Sequence, residues 1–248
     1  MLQLFNKIWF TGKIPPSWLH SIVVPIPKPN KPAHLPSSYR PISLTSNVCK
    51  LFEKMIVCRL NWFLEHHNVL HIAQSAFRQR CRTTDHLLGL HDAIHKSMAN
   101  KHIVLSVFID IEKAYNMVNK EVLLSKLLSY GISGRMFHFI RSFLSNRTFQ
   151  VRIGYTLSMT ERLENGTPQG SVLSPILFSL INDLRKRITS HAALYVDDFC
   201  FWECGSDITL LNQLCQLRVN VLTKRFLLDA YTESCGEMPG LGAMLLGC

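Results

Sequence analysis

Long apolar runs are missing from this 248-residue sequence. No run reaches the roughly 18 residues that a membrane-spanning helix needs. Internal repeats and long low-complexity tracts are also missing, which argues against a solenoid or a disordered chain. No secretory leader is recognisable after Met1. We therefore expect an intracellular protein, without a distinction between nucleus and cytoplasm and without a membrane partner.

Paired cysteines are missing too. The eight cysteines form no Cys-x-x-Cys pair and no regular framework. We expect free thiols in a reducing compartment rather than a disulfide scaffold. A metal site built from Cys200, Cys204 and distant histidines is the alternative that the sequence leaves open.

Acidic residues are scarce relative to basic ones. The chain has 27 Lys/Arg and 17 Asp/Glu, a net charge of +10, and residues 1–100 alone hold 12 Lys/Arg and 4 Asp/Glu. A basic half joined to a near-neutral half favours a polyanionic partner, most simply a nucleic acid. A membrane surface is the rival interpretation.

Hydrophobic residues make up 47% of the chain, enough for a sizeable core. The spacing of apolar residues, with glycine and proline as helix breakers, predicts five helical regions. They cover residues 1–10, a stretch that begins at Ser46, residues 84–99, residues 120–144 with breaks at Gly131 and Gly134, and a stretch after Gly170. They predict strands at Val23–Val24 and 103–111, and hairpins over 148–164 and around Asp197.

The stretch LYVDDFCFW, residues 194–202, raises a question of charge. Asp197 and Asp198 lie side by side in an apolar and aromatic run, where an uncompensated carboxylate is costly. A surface turn is the simple explanation. If the strand that ends near Asp110 lies beside this hairpin, however, the carboxylates converge and would hold a hard cation such as Mg²⁺. Spacing alone does not establish that the two strands are neighbours.

Six stretches resemble, in order, the reverse transcriptase domain of non-LTR (LINE-like) retrotransposons. They are IPPSWLHSIVVPIPKPNK, SSYRPISLTSNVCKLFEKMIVCRL, QSAFRQRCRTTDHLLGL, VFIDIEKAYNMVN, NGTPQGSVLSPILFSLINDL and YVDDF, which together span about residues 1–205. The resemblance implies an α+β right-hand polymerase with fingers and palm, in which helices back a ferredoxin-like palm sheet. It assigns residues 1–102 to a basic fingers region with early palm elements, and 103–205 to the palm. Residues 206–248 are expected to be a divergent or spurious tail, with the thumb missing.

The same resemblance implies a reaction and its site. The reaction is RNA-directed DNA polymerisation, with an RNA template, a DNA primer, dNTP, and two Mg²⁺ ions for which Mn²⁺ can substitute. Asp110 and Asp197 would hold the metal, and Asp198 is the adjacent acid of the catalytic motif. The implied nucleotide-binding residues are Lys28, Arg40, Tyr115, Gln169 and Gly170, and the implied template-binding residues are Arg78, Arg80 and Arg82.

Each assignment has a plainer alternative, and the chain departs from the family in places. Asp110 could cap a helix, Tyr115 could be a core aromatic, and Gln169-Gly170 could be a simple turn. Asn116 stands where the family usually has Asp, and the match fades beyond about residue 205. A catalytically inactive retrotransposon remnant that at most binds nucleic acid therefore stays open, as does an intron-encoded maturase-type reverse transcriptase.

Overall fold

The computed structural model describes residues 1–78, 81–111, 114–181, 189–196, 198–230 and 241–247. The chain forms two compact units that interleave along the sequence. The first unit comprises Met1–Phe63 with Val118–Leu177, and the second comprises Leu64–Met117 with Phe178–Cys248. These divisions differ from the boundaries expected at residues 102 and 205, so the assignment of fingers and palm to those ranges stays a prediction.

Helices occupy much of the described chain. Their bounds are α1 Leu2–Thr11, α2 Pro16–Leu19, α3 Asn47–His66, α4 Thr83–Ala99, α5 Ala114–Met117, α6 Lys120–Ser129, α7 Gly134–Leu144, α8 Ser174–Ile181 and α9 Ile208–Ala230, with a 3₁₀ turn at Pro36–Ser38. Among the described residues, none of these helices is both long enough and apolar enough to span a bilayer.

The strands form two sheets, one in each unit. Their bounds are β1 His20–Pro27, β2 Tyr39–Leu44, β3 Ile103–Ile111, β4 Thr148–Ile153, β5 Thr156–Leu157, β6 Glu161–Arg162, β7 His191–Tyr195, β8 Asp198–Gly205 and β9 Leu241–Gly247. The first sheet has the order β2-β1-β4-β5, and β6 also pairs with β4. The second has the order β7-β8-β3-β9.

Local signals explain where several elements begin and end. Helix α1 ends because Gly12 adopts φ +67°, a left-handed conformation that glycine accepts without strain. Before α3, the Ser46 hydroxyl accepts a hydrogen bond from the Cys49 N–H at 3.4 Å. The Asn119 side chain caps α6 by accepting from the N–H groups of Glu121 and Val122. The helices predicted at these places are confirmed.

An aromatic cluster anchors the core of the first unit. The Phe52 ring lies 4.9 Å from that of Phe5 and 5.2 Å from that of Phe139, and Trp18 packs at the same place. These four residues come from α1, α2, α3 and α7. Aromatic pairs at such distances stabilise a core beyond the area that they bury, so the cluster ties the four helices together.

In the sheet of the second unit, buried and exposed side chains alternate along the second half of β3. Val107, Ile109 and Ile111 are almost fully buried, whereas Phe108 is 39% exposed. Near the start of β3, α4 covers Val104 together with Trp202 of β8, using Leu90 and Ile94. Helix α9 contacts β3 and β8. One face of the sheet is therefore covered near Val104 and open towards the end of β3.

Lys120 generates a prediction about pH. Its ammonium donates to the Leu163 carbonyl at 2.5 Å, and burial, followed by the nearby Arg147 charge, lowers the pKa of Lys120 to about 8. Between pH 8 and the usual lysine pKa the unfolded chain binds more protons, so stability should rise with pH in this window. We expect the stability of the parent relative to Lys120→Met to increase by about 1 kcal/mol from pH 7.5 to 10, after allowance for the exposed part of the side chain.

Chemical denaturation at a series of pH values measures this difference. Lys54→Met, which removes an exposed lysine, is the matched control and should follow the parent. Parallel stability curves for the parent and Lys120→Met would contradict the prediction.

Candidate active site

Two acidic side chains lie directly opposite each other in the second sheet. In the antiparallel pairing of β3 with β8, Asp110 is the partner of Asp198. Tyr195 of β7 is the partner of Asp198 on the other side. Side chains that are opposite in register leave the same face of the sheet, with Cβ atoms about 5 Å apart. The strand pairing that the sequence could not establish is therefore present.

The electrostatics of this pair favour a cation. Partial burial raises the pKa of Asp198 above its usual range, and the Asp110 carboxylate adds to the effect. Like charges directly opposite on neighbouring strands destabilise a sheet. Carboxylate oxygens are the donors that Mg²⁺ accepts, together with substrate phosphates and water. No cluster of three or more metal-ligating side chains occurs among the described residues. Within these residues, the ligands available to Mg²⁺ at this site are the two opposed carboxylates.

A tight turn joins the two strands that meet at this site. Strand β7 ends at Tyr195, Val196 lies in the turn that follows, and β8 begins at Asp198. Val196 adopts φ +60°, a conformation that a β-branched residue rarely accepts and that costs about 1–3 kcal/mol. Asp197 lies outside the described residues, so its assignment as a metal ligand stays a prediction.

A cavity of about 610 Å³ opens beside the two acids. Its walls come from the N-terminal turn of α4 and from β3, β7 and β8, and its lining includes Thr83, His86, Leu87, Phe108, Ala193, Tyr195 and Cys200 besides the acids. Phe108 and Tyr195 are 39% and 40% exposed. An apolar floor next to two carboxylates suits a ligand with a flat ring at one end and a cation at the other.

His86 is a lining residue that the sequence did not indicate. Burial lowers the pKa of its imidazole, against the opposing effects of Asp85 and of a hydrogen bond with the Leu194 backbone. Its Nε2 is buried without a hydrogen-bond partner in the described part of the chain. The period-two pattern of β3 and β7 could have indicated Phe108 and Tyr195, but the placement of α4 over the sheet depends on tertiary packing.

Tyr115 lies in α5, directly after the strand that carries Asp110. Its ring packs against Phe178 with centroids 5.1 Å apart and an interplanar angle of 32°. Tyr115 is half-buried, whereas the neighbouring Asn116 is exposed. The tyrosine ring is thus held against the core of the second unit, and its orientation is restricted.

Gln169 and Gly170 belong to the first unit, where β2 holds their loop. The Ser43 N–H donates to the Gln169 carbonyl at 2.7 Å. Gly170 adopts φ +134°, and a Cβ on this residue would come within 2.3 Å of the Ser43 carbonyl oxygen. Only glycine permits this approach of loop to strand.

Lys28 and Arg40 also belong to the first unit. The Lys28 ammonium donates to the Ser37 carbonyl at 3.0 Å. Arg40 is exposed on β2 opposite Ile26, and its side chain makes no hydrogen bond or ion pair with any residue in the described ranges. Its guanidinium is therefore available for an external anion.

The three arginines predicted to bind template differ in their surroundings. Arg78 forms a bidentate ion pair with Glu65 at 2.7 and 2.8 Å and donates to the carbonyls of His71 and Gln74. These bonds leave its guanidinium little capacity for a phosphate. Arg82 is exposed at the start of α4, and Arg80 lies outside the described residues.

The predicted site residues fall into two groups. Asp110, Tyr115, Asp198, Arg78 and Arg82 lie in the second unit, whereas Lys28, Arg40, Gln169 and Gly170 lie in the first. Within the second unit, the register of β3 and β8 brings Asp110 and Asp198 together.

Curated relatives come from mobile elements. The probable RNA-directed DNA polymerase from transposon BS of Drosophila melanogaster is 34% identical over 183 residues, which cover 71% of this chain and 19% of that protein. The RNA-directed DNA polymerase from the mobile element jockey of Drosophila funebris is 31% identical over 234 residues, or 94% of this chain and 25% of that protein. The chain thus spans about a fifth to a quarter of the length of these relatives.

Solved structures show the same fold. Telomerase from Candida tropicalis, determined with a TWJ fragment of telomeric RNA, superposes with a TM-score of 0.61 at 13% identity and covers 99% of this chain and 44% of its own. The apo form truncated at its C-terminal domain gives a TM-score of 0.59 at 14% identity. The expected α+β polymerase fold with fingers and palm is confirmed.

A family model places the chain directly. The model of the reverse transcriptase (RNA-dependent DNA polymerase) matches residues 26–226. The match continues past residue 205, where the motifs fade, into α9. Together with the relatives from transposon BS and from the mobile element jockey, this match shows that the chain belongs to the reverse transcriptase family.

Proposed function

We propose that this chain carries out RNA-directed DNA polymerisation, and that the carboxylates opposed on β3 and β8 are its catalytic centre. The observation that supports the proposal is the register that pairs Asp110 with Asp198. Two exposed acids at one end of a sheet, beside a cavity of about 610 Å³, suit phosphoryl chemistry better than they suit folding. Membership of the family supplies the reaction type.

The reaction is a nucleotidyl transfer. The primer 3′-oxygen attacks the α-phosphorus of a dNTP, the bond from that phosphorus to the β-phosphate bridging oxygen breaks, and pyrophosphate leaves. The hydroxyl proton passes to solvent. Negative charge grows on the attacking and leaving oxygens, so catalysis depends on positioning and on nearby positive charge.

Asp110 and Asp197 are the proposed metal ligands, and Asp198 is the adjacent acid that completes the negative site. Reverse transcriptases in general use divalent metals. Two Mg²⁺ ions, when bound, stabilise the charge on both oxygens of the displacement, and Mn²⁺ can substitute. Asp110 suits a metal ligand because it presents an exposed oxygen donor, and Asp198 adds a second carboxylate on the same face of the sheet.

The residues predicted to bind nucleotide keep those roles in this proposal. Tyr115 is the proposed gate against a ribose 2′-hydroxyl, because its ring is held against Phe178. Gln169 and Gly170 are proposed to lie against the incoming nucleotide, with Lys28 and Arg40 binding its phosphates. Arg40 suits phosphate because its planar guanidinium is exposed. For the template backbone we favour Arg80 and Arg82 over Arg78, which is bonded within the protein.

The first test is primer extension on an RNA template with Mg²⁺ and dNTP. We expect the parent to extend the primer, and Asp110→Asn, Asp197→Asn and Asp198→Asn each to lose about a thousandfold in rate. Each change removes one negative charge from the proposed metal-binding site, and this raises the activation barrier by several kcal/mol. Asp92→Asn is the matched control, since Asp92 is an exposed acid on α4 that pairs with Lys96.

Failure of primer extension in that experiment would support the alternative function. If neither the parent nor the variants extend a primer, while RNA binding weakens steeply with added salt, the chain is an inactive remnant that binds nucleic acid. The concentration of net positive charge in positions 1–100 favours this as the alternative function.

Sugar selection gives another prediction. Tyr115→Ala should raise the efficiency of rNTP incorporation relative to dNTP by about tenfold or more, because the ring that excludes the 2′-hydroxyl is removed. The measurement is the ratio of kcat/KM for dCTP and rCTP on one template. Tyr155→Ala removes a fully exposed tyrosine and should leave the ratio unchanged. An unchanged ratio for Tyr115→Ala as well would contradict the gate.

A further inference from the structure

A buried carboxylate lies in the middle of α3, outside the residues assigned to the reaction. Glu53 is 0% exposed, and its neighbours Phe52 and Ile56 are core residues at 3% and 2%. An acid in such a place is costly unless hydrogen bonds and an opposite charge compensate it. The partners of Glu53 therefore indicate why the fold accommodates it.

The Glu53 carboxylate binds three consecutive residues that follow the Pro168–Gly170 loop. Its Oε2 accepts from the Ser171 hydroxyl at 2.5 Å, the Val172 N–H at 2.7 Å and the Leu173 N–H at 3.0 Å. Its Oε1 accepts from the Cys49 thiol at 3.2 Å. Glu53 thus satisfies, from a different helix, backbone donors that lie immediately before α8.

Ser171 extends this network into the first turn of α8. Its hydroxyl donates to Glu53 and accepts from the N–H groups of Leu173 and Ser174, at 3.0 and 3.2 Å. Each of these residues is buried. The path of the backbone from Ser171 to Ser174 is therefore fixed by one carboxylate and one hydroxyl.

Arg147 supplies the opposite charge. It is 2% exposed, and burial lowers its pKa while the Glu53 charge acts in the other direction. Its guanidinium donates to the Phe143 carbonyl at 3.1 Å and packs over the Phe143 ring. Glu53 is therefore a compensated acid rather than an isolated one.

The other side of the same loop is held by β2. The Ser43 N–H binds the Gln169 carbonyl, and Gly170 approaches the Ser43 carbonyl closely enough to exclude any Cβ. Gln169 and Gly170 thus lie between two attachments, one to β2 and one to α3. A shift of the loop away from β2 would break the Ser43–Gln169 hydrogen bond, and a shift away from α3 would break the bonds to Glu53.

We propose that Glu53 is a positioning residue, whose carboxylate fixes Ser171–Leu173 and so places Gln169 and Gly170 for the incoming nucleotide. This inference rests on the proposed polymerase function. Glu53 itself touches no substrate. Its effect passes through the loop backbone.

Glu53→Gln tests the carboxylate without changing its volume. The amide oxygen can still accept, but the negative charge that strengthens all three bonds is lost. We expect KM for dNTP to rise about tenfold, the scale of one charge-assisted hydrogen bond, while KM for the template–primer stays unchanged. Ile56→Val, on the same helix one turn later, is the control for a small loss of core packing and should leave both constants unchanged.

Hydrogen–deuterium exchange of the nucleotide-free chain supplies a readout that does not need activity. In Glu53→Gln, amides of residues 169–174 should exchange about tenfold faster than in the parent, while amides of α6 and α7 keep their rates. Ile56→Val should not produce this local change. Uniform acceleration, or none in residues 169–174, would overturn the proposal, as would an unchanged KM for dNTP in an active Glu53→Gln enzyme.

The two readouts separate the two hypotheses. If the parent extends no primer, the proposed function fails and the nucleotide role of Glu53 fails with it, whereas local exchange still decides whether Glu53 holds the loop. Ser171→Ala provides the partner variant. Its effect on exchange of residues 172–174 should be smaller in the Glu53→Gln background than in the parent, because both changes break the same network, and fully additive effects would contradict that link.

Discussion

The antiparallel register of β3 and β8 is the constraint on which the candidate active site depends. Asp110 meets Asp198 because Ile109 meets Phe199 and Val107 meets Phe201 one and three residues earlier on β3. Those apolar residues are almost completely buried. A slip of one residue would turn the apolar set outward and the acids inward. The hydrophobic face of the sheet therefore determines where the carboxylates stand, although it takes no part in the chemistry.

The acidic side chains of the two units differ in whether the protein itself satisfies their charge. Glu53 in the first unit is buried, and donors from Ser171, Val172 and Leu173 satisfy it within the protein. Asp110 and Asp198 in the second unit are exposed and face each other, and no hydrogen-bond donor to either carboxylate lies in the part of the chain that the structure describes. Internal donors make a carboxylate part of the fold. A carboxylate that lacks them remains available to an external cation or substrate.

Much of the fold follows from local signals in the sequence. β3 occupies 103–111 as predicted because its apolar residues favour a strand, and α1 stops at Gly12 because glycine accepts a left-handed conformation. The hairpin turn between Tyr195 and Asp198 is also where the pattern predicts it. Each of these features depends on residues within a few positions of one another.

Features that depend on distant residues could not be predicted in the same way. The parallel pairing of β1 with β4 joins residues more than a hundred positions apart, and the bond from Ser171 to Glu53 spans 118. The family resemblance assigns Arg78 to the template, but its guanidinium is paired with Glu65, thirteen positions earlier in the chain. The pairing of β9 with β3 was likewise absent from the prediction, since residues 206–248 match no quoted motif.

The exposed acids Asp110 and Asp198 do not contribute to the stability of the fold. Removing an exposed acid usually changes stability by less than about 0.5 kcal/mol, and two acids opposed across a strand pair destabilise the sheet. An asparagine at either position would make the second sheet more stable, because repulsion between Asp110 and Asp198 would end. Val196 adds a strained conformation at the same turn. Folding alone would favour losing these features, and the proposed catalytic site gives a physical reason for their presence together.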